Sequence, residues 1–345
     1  MINLKVLLYT EGLKTFSKSG LGKAIKHQMR ALEENNVEYT TDLEDDYDIL
    51  HINYYGPKSY LFAKKAKKEG KIVIYHAHST EEDFRNSFIG SNLVSQPFKQ
   101  WLITCYSLGD RILTPTPYSK RLLEGYGIEI PITAISNGVD TNFFKRNEYE
   151  GKKFRKKYGY KKSDKVIIGV GLYIERKGIL DFVELAKRMP EYKFIWFGHS
   201  PLAASPSKVR KAVNSKLDNL VFPGYVEPTE LIGAYSGCDL FIFPTLEETE
   251  GIPILEACSM KAKAIVRDIG VFEDWLTDGV NVYKASDIDD FEDKIRKVIN
   301  NELPDLTEEG YKVAKDHDIK KVGKELISIY KEVLEEKRST WIKNF

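Results

Sequence analysis

The chain has 345 residues, 42% hydrophobic and 12% aromatic, enough to bury the cores of about two domains of roughly 100–200 residues and too apolar for a disordered polymer. Its 52 basic and 51 acidic side chains nearly cancel to a formal charge of +1, so no global field draws it to nucleic acid. Three scattered cysteines, Cys105, Cys238 and Cys258, form neither a disulfide framework nor a metal-ligand spacing and fit a reducing cytoplasm, while apolar stretches such as 166–174 fall short of the ~20 residues that cross a bilayer.

Residues 1–9 hold one short apolar run and no small-residue cleavage site, which predicts a first strand and no secretory signal. From there, β-branched or aromatic runs alternate with amphipathic segments, the pattern of a parallel α/β architecture. Strands are predicted over 6–9, 47–52, 71–76, 111–114 and 132–135, with helices over 21–34, 60–69, 97–107 and 118–124. The charged stretch 145–164 has no strand pattern and reads as an inter-domain junction. The alternation then restarts. Strands are predicted over 166–171, 193–197, 219–222, 239–244, 264–267 and 281–283, and helices over 179–188, 229–236, 254–260, 272–276 and 288–300. Runs such as KFIWF and LFIF are near-continuously apolar, as strands covered on both faces should be. After Leu306 the chain reads as helical to its end, with Val322, Leu326, Ile329, Tyr330 and Leu334 on one face. The expectation is two Rossmann-like, doubly wound domains facing a cleft, with ligands at the carboxyl ends of the strands.

Three loops carry chemistry. Residues 17–22, SKSGLG, follow the first strand and open a helix, so Ser19 and Gly20 could bring backbone N–H groups and a positive dipole end to a phosphate; a plain flexible turn fits the same residues. The stretch EETEGIPILEA lies between a predicted strand and helix and sets Glu248 and Glu256 eight positions apart. Two carboxylates there can accept hydrogen bonds from hydroxyls, or can simply complement a helix N-terminus. His76 and His78 end another strand, where either could be catalytic or merely polar. Two Asp-x-Asp pairs, Asp287 with Asp289 and Asp316 with Asp318, stand at helix starts and read as caps or surface charge, so no metal is expected.

Taken in order, these fragments resemble retaining GT-B glycosyltransferases, specifically glycosyltransferase family 4. The resemblance rests on the E-x7-E stretch at Glu248, on SNGVD with Phe144 following, on Arg176-Lys177-Gly178, on the turn Gly198-His-Ser-Pro, and on Gly224 followed by Tyr225-Val226. It implies that Glu248 hydrogen-bonds hydroxyls of a donor sugar, helped by backbone N–H groups of Thr249, Glu250 and Gly251, and that Glu256 holds the ribose. Lys177 would neutralise the leaving diphosphate, approached by Ser19 and Gly20 from the other domain, with Gly171, Gly198, Tyr225, Val226 and Ile252 also lining the donor site. His78 would stand by the reacting carbon. Many family members carry an arginine where this chain has Leu172, and Arg176 is the candidate replacement cation. The implied domains are 1–145, binding the acceptor, with a terminal helix from about 325 to 345 packing back on it, and 146–324, binding the nucleotide sugar. The implied donor is a UDP-sugar, used without cofactor or metal, and the absence of an assigned nucleophile favours front-face transfer over a covalent intermediate.

Residues 79–102 form the acceptor side on this reading. Phe84, Arg85, Phe88, Ile89 and Leu93 suit a membrane interface, and so do Lys64, Lys65, Lys67 and Lys68 if they are more than a solvated helix face; Lys14, Lys18, Lys23, Lys26 and Arg30 form a further basic group. The segment also resembles the family's Gram-positive branch that builds diglycosyl-diacylglycerols. The expected partners are therefore a nucleotide-sugar donor, a glycolipid acceptor such as monoglucosyl-diacylglycerol and an anionic membrane surface. The expected location is cytoplasmic, at the inner face of the plasma membrane. A soluble or polyprenyl-linked acceptor, an epimerase on the same scaffold and a non-catalytic binder are the alternatives.

Overall fold

Among the described residues, 4–12 and 19–343 of the computed structural model, twelve strands are interspersed with helices and every strand pairing is parallel. Two units result, the first from Met1–Glu81, Leu93–Gly138 and His317–Phe345, the second from Glu82–Asn92 and Val139–Asp316. The predicted class, α/β with two doubly wound sheets, is the one found.

In the first unit β1 (Lys5–Tyr9), β2 (Glu38–Thr40), β3 (Ile49–Ile52), β4 (Ile72–His76), β5 (Arg111–Thr114) and β6 (Ile132–Ala134) assemble in the order β2-β1-β3-β4-β5-β6. One sheet face packs a core that includes Leu50, Tyr75, Leu102 and Tyr106. The other packs Leu8, Ile49, Ile74 and Leu113 against Val322, Leu326, Ile329, Tyr330 and Val333 of the helix Ile319–Lys343. In the second unit β7 (Val166–Val170), β8 (Lys193–Phe197), β9 (Leu220–Gly224), β10 (Leu240–Phe243), β11 (Ala264–Arg267) and β12 (Tyr283–Ala285) run in the order β12-β11-β10-β7-β8-β9. The order reverses between β7 and β10, which makes a ligand-binding switch point at their carboxyl ends.

Several expectations need correcting. The edge strand β2 is only three residues and mostly solvated, so it has no apolar run to announce it. β12 lies two residues beyond its predicted place. The predicted helix 272–276 is a single 3₁₀ turn, Gly270–Phe272. The stretch 145–164 holds a helix, Glu148–Lys157, started by the Asn147 side chain accepting from Tyr149 and Glu150 N–H groups. An unforeseen helix, Ser207–Val213, follows β8. The terminal helical region is two helices, Thr307–Asp316 and Ile319–Lys343.

Candidate active site

In the second unit the chain leaves β7 through Gly171, whose carbonyl accepts from the Trp196 indole at 2.8 Å, and makes a 3₁₀ turn, Glu175–Lys177. Gly178 ends that turn at φ +76, where a Cβ would lie 2.1 Å from the Pro244 carbonyl oxygen. β10, the neighbour of β7, runs out through Pro244 and Thr245 into the loop that carries Glu248; Gly251, at φ +102, closes the loop and starts the helix Ile252–Ser259. The loops after the two strands are bonded together. Leu246 N–H donates to the Arg176 carbonyl at 2.7 Å, and the Arg176 guanidinium donates to the Glu247 carbonyl at 2.7 Å.

This framework closes a buried ion pair. Lys177 Nζ lies 2.5 and 2.7 Å from the two Glu248 carboxylate oxygens, and Thr245 Oγ1 donates to Glu248 Oε1 at 2.8 Å. Burial pushes the Glu248 carboxyl upward, but Lys177, Arg176 and the two hydrogen bonds outweigh it and hold the group below its ordinary range. Burial draws Lys177 down, with Glu248 opposing. Carboxylate and ammonium thus stay charged side by side at the switch point. Arg176 faces elsewhere as well: its Nη1 is 2.8 Å from Asp83 and its Nε donates to Ser87 Oγ at 3.2 Å, so the guanidinium ties the 82–92 segment to the Glu248 loop.

Other expected donor residues take definite places. Glu250 is buried and Thr249 half-buried on the same loop, and Ile252, the first residue of the helix, is buried. Glu256 is fully buried in the following helix and accepts from the Tyr235 hydroxyl at 3.1 Å. Gly198, Tyr225 and Val226 follow β8 and β9, with Gly198 N–H bonded to the Gly224 carbonyl at 2.9 Å. Arg176, Lys177 and Glu248 are therefore brought together with Gly171, against whose Cα side the Lys177 chain packs.

In the first unit Ser19 caps the helix Gly20–Glu34, accepting from Gly22 N–H at 3.4 Å, and the space around Gly20 is open; Lys14, Ser17 and Lys18 lie outside the described residues. His78 sits two residues beyond β4, stacked on His76 with ring centroids 4.1 Å apart and its Nε2 2.9 Å from Asn53 Oδ1. His76 itself is buried at the end of β4. Lys64, Lys65, Lys67 and Lys68 are exposed on the helix Pro57–Lys68, where Lys67 pairs with Asp110 at 3.3 Å and Lys65 with Glu69 at 3.8 Å. Phe88 and Ile89 of the second unit and Leu93 of the first are exposed, Leu93 at 87%; Arg85 is exposed and Phe84 half-buried with its ring edge-on to Phe88. Asp287 caps the helix Ile288–Ile299 and Asp318 accepts from Lys320 N–H, so both Asp-x-Asp pairs sit at helix ends. Among the described residues no group of three or more His, Cys, Asp or Glu side chains could hold a metal ion, and no helix is long and apolar enough to cross a membrane. Thr245, Asp83 and Asn53 carry site contacts that the sequence did not flag; Thr245 is three residues from Glu248, whereas Asp83 and Asn53 pair with groups distant along the chain, and no spacing rule covers that.

Residues 150–337, more than half of the chain, match the model of glycosyl transferases group 1, and residues 23–143 match that of Glycosyltransferase Family 4. The chain belongs to the family 4, group 1 glycosyltransferases. This glycosyltransferase is 41% identical over 336 residues to the processive diacylglycerol alpha-glucosyltransferase of Acholeplasma laidlawii, covering 97% of this chain and 100% of that one. It is 23% identical to the alpha-galactosylglucosyldiacylglycerol synthase of Streptococcus pneumoniae, over 79% of this chain and 74% of that one. The glycosyltransferase also shares its GT-B fold with solved structures. Sucrose-phosphate synthase of Thermosynechococcus elongatus superposes with a TM-score of 0.80 at 12% identity, covering 96% and 100% of the two chains. Anabaena HepE, in complex with UDP and glucose, gives 0.74 at 14% identity over 95% and 99%.

Proposed function

We propose that this glycosyltransferase moves glucose from a UDP-sugar onto a diacylglycerol-type lipid with the anomeric configuration retained, and that both diacylglycerol and its monoglucosyl product serve as acceptors. The near full-length similarity to the Acholeplasma enzyme carries the reading. The chemistry of the switch point supports it. A glycosyl donor of this kind presents sugar hydroxyls next to a diphosphate, and the buried Glu248 and Lys177 supply an acceptor for the one and a countercharge for the other. The loop N–H groups of Thr249, Glu250 and Gly251 would assist Glu248, while Glu256 would hold the ribose and Ser19 and Gly20 the phosphates. His78 would stand beside the reacting carbon. The exposed Phe88, Ile89 and Leu93 and the Lys64–Lys68 helix would place the enzyme on an anionic bilayer, the acceptor's own location.

The test is to incubate the enzyme with UDP-glucose or UDP-galactose against diacylglycerol and monoglucosyl-diacylglycerol vesicles, read lipid products by mass, and assign the new anomeric centre by NMR. Expected are mono- and diglucosyl lipids with α linkages from UDP-glucose. No lipid product from any of the four combinations would overturn the reading.

A further inference from the structure

The family resemblance offers Arg176 as a cation for the diphosphate, yet its bonds run to two loops of the second unit. On one side are the residues that lead to Glu248. Leu246 N–H donates to the Arg176 carbonyl at 2.7 Å, the Thr245 hydroxyl lies 3.2 Å from the same oxygen, and Arg176 Nη1 donates to the Glu247 carbonyl at 2.7 Å. On the other side is the segment 82–92. There Nη1 is 2.8 Å from Asp83 Oδ1, Nε donates to Ser87 Oγ at 3.2 Å, and the Arg176 N–H reaches the Asn86 carbonyl at 3.4 Å. Three consecutive residues before Glu248 thus meet three residues of the other segment at one buried arginine.

The segment is built to hold its shape. Asn86 takes a left-handed conformation at φ +55, and Asn92 closes a ring on it: its Oδ1 accepts from Asn86 N–H and its Nδ2 donates to Asn86 Oδ1, both at 2.9 Å. The Ser87 hydroxyl donates to the Asp83 carbonyl at 3.1 Å while accepting from Arg176. Glu248 has no such scaffold of its own, since it stands on a loop between β10 and the helix Ile252–Ser259. Its carboxylate is held by Thr245 and Lys177, and on the proposed reading Lys177 must share its three hydrogens with the diphosphate once donor is bound. Arg176 then supplies support that the donor does not compete for. A guanidinium is a planar fork that meets several oxygens at fixed angles, which an ammonium cannot do.

We infer that Arg176, anchored by Asp83, is a positioning residue that braces the Glu248 loop against the segment 82–92. The inference rests on the proposed use of Glu248 by the donor sugar. It assigns Arg176 a role in turnover and none in diphosphate binding, and it makes the segment that exposes Phe88 and Ile89 the footing of the catalytic carboxylate as well.

The experiment uses the full chain with two substitutions that each keep one property. Asp83→Asn removes the carboxylate charge and leaves Arg176 in place, while Arg176→Lys keeps the cation and loses the fork. Each should lower kcat for glucosyl transfer from UDP-glucose to monoglucosyl-diacylglycerol vesicles by about tenfold to a hundredfold, the size expected when a reacting group is misplaced by about 1 Å. Calorimetric UDP affinity should stay within about threefold of wild type. The ratio of UDP-glucose to UDP affinity should move as it does in Glu248→Gln, a readout that needs no acceptor and so survives a wrong choice of lipid. The double variant should be no worse than the poorer single one, because both changes undo the same brace. A UDP affinity about tenfold weaker in Arg176→Lys, with Asp83→Asn as active as wild type, would make Arg176 a diphosphate ligand and overturn the inference. So would a lower melting temperature with kcat per folded molecule unchanged, which is what packing alone produces. A normal affinity ratio and full turnover in Glu248→Gln would remove the carboxylate from the donor site and overturn its proposed use together with its brace. Normal behaviour of Asp83→Asn beside an impaired Glu248→Gln overturns the brace alone.

Discussion

Lys177 and Glu248 each depend on the other. A carboxylate buried to this degree stays ionised because an ammonium lies within 2.7 Å of both its oxygens, and removing one partner leaves an uncompensated charge. Lys177→Ala should therefore act twice, deleting the diphosphate countercharge and driving the Glu248 carboxyl upward so that it accepts hydrogen bonds less well. Glu248→Gln keeps shape and deletes the charge. Each should lower turnover with UDP-glucose by at least ~100-fold, the usual cost of an electrostatic group at a reacting centre; initial rates within tenfold of wild type in either variant would take that residue out of the site. Glu248 was visible in the sequence because the strand-loop-helix context and eight-residue spacing of its stretch are local patterns, whereas Lys177 was named through the family resemblance of Arg176-Lys177-Gly178. Arg176 shows where local reading stops. Its neighbours in sequence suggested a replacement for the arginine missing at Leu172, but Asp83, Ser87 and the Glu247 carbonyl surround its guanidinium, and nothing in RKG announces an aspartate from the 82–92 segment.

The elements follow the same division. β8 and β11 stand where they were expected because their apolar runs FIWF and AIV, each extended by one charged residue, mark strands covered on both faces. The edge strand β2 and the charged helix Glu148–Lys157 left no such mark: one is solvated, and the other is set by a capping asparagine and by Gly151 lying against the backbone of the helix Pro228–Gly237. Glycine placement is the element-scale feature with the clearest consequence. Gly178 joins the Arg176-Lys177 turn to the helix Ile179–Arg188 in a left-handed conformation, with the Pro244 carbonyl occupying the space of a side chain. Gly178→Ala must both strain the backbone and push β7's exit loop off β10's. We expect a loss of about 2–3 kcal/mol in stability, read as a lower denaturant midpoint, accompanied by weaker UDP binding. A midpoint equal to wild type would mean the two loops can separate without penalty.

Across the whole chain, the buried histidines make stability depend on pH in a predictable sense. His51 and His78 are held at about 3 and His76 well below its ordinary value, each chiefly by burial, whereas all three titrate near 6.5 in the unfolded chain. Above 6.5 neither state binds a proton at these rings and their contribution is complete. As pH falls from 6.5 toward 3, the unfolded chain takes up protons that the folded unit refuses, and each ring lowers stability by about 1.4 kcal/mol per pH unit. Glu325, raised by burial, works in the opposite direction, but it is one half-buried carboxyl against three rings that burial keeps neutral. Calorimetry of the full chain should therefore show the unit built on β1–β6 melting at steadily lower temperature between pH 7 and 5.5, while the unit built on β7–β12, whose only described histidine is the exposed His199, moves less. His51→Phe, which fills the same space without a titrating nitrogen, should flatten the slope by about a third even though it gives up the Tyr330 hydrogen bond. Equal slopes in wild type and variant would show that His51 takes up its proton in the folded state as readily as in the unfolded chain.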